Sequence, residues 1–165
     1  MNEQIEFLIH ALREELGQYG EMLALLEQQQ QLVMQRSTDA LLQNLAAVNA
    51  QTSVIEVARR EREEHQRELN ALLQLPPGGT FAELLKILPE PYPPLVKALV
   101  DGINQCLGRV RQRARQNHLL LSRSVEMMQR FISRLFPAAS VNTYNQSGKV
   151  AARNTVASSV CEVVG

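Results

Sequence analysis

From Pro94 to Phe136 apolar or small residues return every third or fourth position: Val96, Leu99, Ile103, Cys106 or Leu107, Val110, Ala114, Asn117, Leu121, Ser124, Met128, Phe131 and Leu135. Only an α-helix lines up such a set on one side. At 1.5 Å per residue this helix is roughly 65 Å long. A compact domain of 165 residues cannot wrap it. The remaining helices must lie along it, so the expected fold class is all-α: an elongated three-helix antiparallel coiled-coil bundle with a flexible C-terminal tail.

Two further stretches supply those helices. The first, about residues 2–36, places Ile5, Leu8, Leu12, Leu16, Tyr19, Leu23, Leu26 and Val33 on one stripe, with a 4-4 stutter at Leu8-Leu12-Leu16 and Gln30 as a polar break. The pattern stops at QRSTDA, where Ser37, Thr38 and Asp39 are good helix-starting residues. The second helix, about 39–75, has the stripe Leu41, Leu45, Val48, Thr52, Ile55, then Arg59, Arg62 and Gln66, then Leu69 and Leu73. Its polar middle reads as a solvated face supported by i,i+4 pairs such as Glu63–Arg67. PPGG ends it. A Pro-rich insert, 76–94, follows. Thr80 and Glu83 form a capping box for one or two helical turns, and PEPYPP reads as an extended link. The expected organisation is a helical bundle over 1–137 and a partner-binding tail over 138–165.

The net charge is zero, with 17 Lys+Arg and 17 Asp+Glu, but it is unevenly spread. Residues 1–37 carry two Arg against six Glu, residues 38–75 four Arg against six acids, and residues 94–137 eight bases against two acids. That distribution governs the reading of RVRQRAR, Arg109 to Arg115. Its arginines alternate on the two sides of the Val110–Ala114 seam, where coiled coils place charges that pair with a neighbouring helix. The acidic first and second helices are that neighbour, so intramolecular pairing is expected and no nucleic acid is expected as a partner. Asn117, in an apolar seam, reads as a register-fixing buried amide.

Several chemistries find no residues to carry them. Cys106 and Cys161 are far apart with no CxxC, and Cys106 reads as a small buried hydrophobe. His10, His65 and His118 show no metal-ligand spacing, and no Gly-rich phosphate loop exists. Trp is absent and aromatics make up 4 % of the chain, which disfavours an enclosed small-molecule pocket. The expectation is a non-enzyme with no catalytic residues, no metal and no cofactor. MNEQIEFLIH has neither a basic n-region nor a long apolar run, so a cytoplasmic protein without direct membrane insertion is expected.

The last third of the chain carries more apolar surface than one stripe needs. Leu120, Leu121, Val125, Met128, Phe131, Ile132 and Leu135 lie on and beside the seam, and the pair Met127–Met128 suits an adaptable surface that accepts another protein's helix. Beyond Pro137, NTYNQSGKV holds Tyr144 in a polar setting, where a single aromatic can anchor in a partner's pocket. Val156, Val160, Val163 and Val164 fall on one helical face of a segment too rich in Thr, Val and Ser to hold a helix alone. Such a face orders when a partner buries it.

The order of these elements resembles the FlgN family of flagellar export chaperones. The residues that carry the resemblance are the hairpin YGEMLALLEQQQQLVMQRSTDALLQNLAAVNAQTSVIE, the element QNHLLLSRSVEMMQRF of the third helix, and TYNQSGKV directly after it. Two features depart from the family pattern: the longer Pro-rich insert, and a tail with only Lys149, Arg153 and Glu162 as charges. The resemblance implies an ATP-independent cytoplasmic chaperone. It would bind hook–filament junction proteins (hook-associated proteins) through its C-terminal part, prevent their premature assembly and deliver them to the export gate. It also implies that Tyr144 docks on the export-gate membrane protein. A monomer or weak homo-oligomer is expected. Two other readings stay open on the residues alone: a coiled-coil adaptor that homodimerises and scaffolds other proteins, and an RNA-binding regulator using Arg109 to Arg115.

Overall fold

The computed structural model describes residues 1–76 and 78–135. Every regular element among them is an α-helix: α1 Asn2–Gln35, α2 Thr38–Leu72, α3 Phe81–Ile87 and α4 Tyr92–Leu135. The chain divides into two units, Met1–Arg123 and a second that begins at Ser124. The expected three helices are four, because the capping-box segment is a helix with its own share of the core. Glu83 N–H donates to Thr80 Oγ1, Thr80 N–H donates to Glu83 Oε2 at 2.8 Å, and the seven residues that follow Thr80 bury Leu84. The extended link expected over Pro89–Pro94 is also shorter than the sequence suggests. Helix α4 already starts at Tyr92 and takes Pro93 and Pro94 into its first turn, where a missing N–H forfeits no helical bond.

Non-glycine residues in the left-handed conformation end the first two helices. Arg36, at φ 56°, closes α1 with Ser37 N–H donating to Leu32 O and Arg36 N–H to Val33 O, both at 3.2 Å. Gln74, at φ 57°, does the same for α2, with Leu75 N–H donating to Asn70 O at 2.9 Å. That geometry stops α2 at Leu72, short of the expected Leu75.

The α1 stripe differs from the one apolar residues alone suggest. Its buried positions include Ile5, Leu8, Leu12, Glu15, Tyr19, Met22, Leu26 and Gln29, which alternate steps of three and four without interruption. The stutter disappears because Glu15 rather than Leu16 sits in the seam. The polar break is Gln29, 4 % exposed, while Gln30 is half-buried.

Within the first unit, α2 runs antiparallel to α1. Phe7 stacks on His65, Glu15 pairs with Arg62, Gln18 meets Gln51 and Gln28 meets Asn44. Helix α4 runs parallel to α1, since Leu16 lies against Gly102, Glu27 against Arg113 and Gln29 against Asn117. The core joins Ile5, Leu8, Ile9, Leu12 and Leu26 to Ile55 and Leu69 of α2, Leu84 and Leu88 around α3, and Val96 and Ile103 of α4.

The middle of α2 is not the solvated face its composition suggests. Arg62 Nε reaches Glu15 Oε2 at 2.9 Å, with side chains only 15 % and 3 % exposed, and its guanidinium lies 5.9 Å from the centroid of Phe81. Gln66 Nε2 and Asn70 Nδ2 both donate to Gly79 O at 3.1 Å, which ties the loop before α3 to α2. A Cβ at Gly79 would meet Asn70 Nδ2 at 3.2 Å and Pro76 O at 3.3 Å, a tight fit that a side chain would gain only by pushing both back a few tenths of an ångström. The half-buried Glu63 pairs with Arg59 at 2.9 Å, where Arg67 was expected.

Candidate partner-binding face on the last helix

Helix α4 changes character along its length. Its first half buries Val96 and Ile103 and half-buries Leu99, Cys106, Leu107 and Val110 against the core. Cys106 is therefore less enclosed than expected. The last fully buried residue is Asn117, at 2 % exposure. Its Nδ2 donates to Leu26 O at 2.7 Å and to Gln29 Oε1 at 2.9 Å. This is the register-fixing amide expected from the sequence, with a polar partner in α1 that apolar periodicity could not show.

After Asn117 the pattern of apolar residues persists while burial stops. Leu120, Leu121 and Ser122 are half-buried, and every residue from Arg123 to Leu135 is exposed. Val125, Met128, Phe131, Ile132 and Leu135 are between 43 % and 65 % exposed. At 100° per residue, Val125, Met128, Ile132 and Leu135 fall within about 80° of one another, with Phe131 at the border. Leu120 and Leu121 belong to the first unit, and Val125, Met128, Phe131, Ile132 and Leu135 to the second. Leu119 and Met127 are also exposed, and Leu119 had not been singled out from the sequence. Helical order in this stretch matches its composition, rich in Leu, Met, Arg, Gln and Glu, so its surface is presented on a regular scaffold. Tyr144, Val156, Val160, Val163 and Val164 lie outside the described residues.

The arginine run sits just before this face, and the expected pairing is realised at one position. Arg113 Nη1 donates to Gln30 Oε1 at 2.7 Å and Nη2 lies 3.5 Å from Glu27 Oε1. Arg109, Arg111 and Arg115 are exposed, and none forms an ion pair among the described residues. Part of the acidic charge of α1 and α2 is engaged elsewhere: Glu15 is held by Arg62, and Glu56 and Glu63 by arginines of α2 itself. Arg109 and Arg113 line an open polar groove of about 150 Å³ with Leu23, Glu27, Gln112 and Gln116.

Burial first, and the Glu15 carboxylate second, raise the Tyr19 hydroxyl above its ordinary pKa. Among the described residues no cluster of three metal-ligating side chains occurs, and no helix is long and apolar enough to cross a membrane. What this part of α4 offers chemically is a row of flexible and aromatic apolar side chains on a preformed helix, suited to receiving an amphipathic segment.

A protein-family model described as FlgN protein matches residues 1–152. Comparison with curated proteins and with solved structures yields no match.

Proposed function

This chain belongs to the FlgN family of flagellar export chaperones, and from that premise we propose that it is an ATP-independent cytoplasmic chaperone for hook–filament junction (hook-associated) proteins. It binds them before export, keeps their terminal helices from premature assembly and delivers them to the export gate. The observation that carries this reading is the exposed apolar face of α4, Val125 to Leu135, in a stretch where no described residue after Ser122 is buried or half-buried. A helix-in-groove partner would cover that face with its own i, i+3, i+4 and i+7 residues. The reading also takes Leu120 and Leu121 as subunit-contacting residues. Val156, Val160, Val163 and Val164 supply a second apolar stripe that orders on the bound subunit, and Tyr144 docks on the export-gate membrane protein. The chaperone works as a monomer or weak homo-oligomer, with no cofactor and no nucleic acid.

The test separates the two surfaces. Phe131→Asp is expected to weaken binding of a purified junction subunit at least about tenfold, some 1.4 kcal/mol, in titration calorimetry. Since Phe131 is exposed, its circular dichroism should match the parent's. Tyr144→Ala is expected to leave subunit binding intact and to weaken association with the cytoplasmic domain of the export-gate protein. Undiminished subunit affinity in a Phe131→Asp/Ile132→Asp variant would overturn the assignment of the face. Loss of subunit binding in Tyr144→Ala, with gate binding intact, would overturn the division of roles.

A further inference from the structure

Helix α2 has a second face that α1 does not use. From Ala40 to Ala58 the only charged residue is Glu56. The side that packs on α1 carries Asn44, Gln51, Ile55 and Ala58. On the other side Leu42 is 60 % and Val57 52 % exposed, with exposed Ala46, Ala50 and Ser53 between them. An exposed helix face of this length ordinarily carries charges of both signs. At 100° per residue, Asp39, Leu42, Ala46, Ser53, Val57 and Arg60 fall within about 60° of one another. This stripe is therefore apolar and small in the middle, acidic at one end and basic at the other.

We propose that this face pairs two copies of the chain, α2 antiparallel on α2, about a two-fold axis passing between Asn49 and Ala50. In that register the residue numbers of each facing pair add to 99. Leu42 meets Val57 of the partner subunit, and Ala46 meets Ser53 of the partner subunit. Asp39 meets Arg60 of the partner subunit, and the symmetry repeats each pair at the other end. The remaining charges meet neutral groups: Glu56 faces Gln43 of the partner subunit and Arg59 faces Ala40 of the partner subunit. No like charges oppose each other. Arg60 is available to the partner's carboxylate because its only ion pair among the described residues, with Glu56, is long at 3.9 Å and both side chains are more than 60 % exposed.

A two-fold contact must be complementary to itself, and this stripe is complementary in apolar size and in charge within one helix. A partner of different sequence would require no such internal match. The small residues at the centre allow the two helix axes to approach closely. The contact is about 33 Å long. A single helix face of that length buries less than the roughly 800 Å² per partner typical of stable complexes. The dimer is accordingly weak and concentration-dependent. This inference does not depend on the chaperone reading.

Sedimentation equilibrium of the full chain, from about 10 µM to about 1 mM, reads the mass-action rise of a dimer. Ala46→Glu and Val57→Glu are expected to hold the chain monomeric with unchanged helicity, since both sites are exposed. Asp39→Arg and Arg60→Asp are each expected to weaken the dimer severalfold, and the double charge reversal Asp39→Arg/Arg60→Asp to restore it. A chain that stays monomeric throughout overturns the proposal and leaves the face to the chain's own tail or to another protein. A dimer that ignores Val57→Glu, or a double reversal that fails to recover, overturns it equally.

Discussion

At the scale of single residues, the least expected feature is a carboxylate in a hydrophobic seam. Glu15 is 2 % exposed and survives there because Arg62 reaches it from α2 while Phe81 covers the guanidinium. Desolvating both ions offsets most of their attraction, so the pair adds little net stability, yet breaking it strands a buried charge. Arg62→Met should therefore destabilise the fold by about 3 kcal/mol, while Glu15→Leu/Arg62→Met should recover most of the loss. Urea titration of the two variants decides this, and equal losses would contradict it. Gln74 makes the opposite case. It holds φ 57° at the end of α2, where a Cβ is a penalty. Gln74→Gly is expected to raise stability by about 0.5–1 kcal/mol, visible as a higher midpoint in the same titration.

At the scale of elements, α3 and the middle of α4 show how local signals meet tertiary ones. The Thr80–Glu83 capping box is written in four residues and forms as written. The Thr80 backbone N–H, and then its hydroxyl, hold the Glu83 carboxyl below its ordinary pKa. A depressed carboxyl stabilises the fold above the unfolded value and loses that contribution as pH falls through the folded one. The Tm difference between parent and Glu83→Gln should thus be present at neutral pH and shrink once pH drops below the ordinary carboxylate range, near 4.3. A difference that widens in acid would refute the sign. In α4, only Arg113 contacts α1 with its charge. Arg113→Gln should lower stability by about 0.2–1 kcal/mol, while Arg109→Gln, Arg111→Gln and Arg115→Gln should each change it by less. Thermal melts of the four single variants at low salt distinguish this from even sharing.

At the scale of the molecule, polar side chains tie the first unit together. Gln51 Nε2 donates to Gln18 O at 3.0 Å and to its Oε1 at 2.7 Å, Asn44 Nδ2 donates to Leu25 O at 3.0 Å and Gln28 Oε1 at 3.2 Å, and Asn117 bridges to α1 as described. Each fixes the sliding register of two helices that apolar residues alone would leave adjustable. Asn117→Leu leaves the Gln29 amide buried without its partner and should destabilise by about 1–3 kcal/mol. Adding Gln29→Leu should bring stability back to the parent's level or above it. The price is register: hydrogen exchange of α4 should become faster in the double variant despite its stability. Retained slow exchange would show that packing alone sets the register.

By itself the sequence determined the helical class, the turn at Ser37, the α3 cap and the buried amide at Asn117, because periodicity, caps and breakers act within a few residues of each other. It also placed the apolar excess late in α4. Burial of polar residues was decided by tertiary structure. Glu15, Gln29, Asn44 and Arg62 look like surface residues one at a time, and each becomes a seam residue only when a partner arrives from 16 to 88 positions away. The same holds for the arginines of α4, whose period-two pattern promised pairing on both sides of the seam. Only the register of α1 against α4 could decide that, among the described residues, Arg113 alone of these arginines has a carboxylate within reach, because ion pairing depends on distances of a few ångströms and not on net charge per helix.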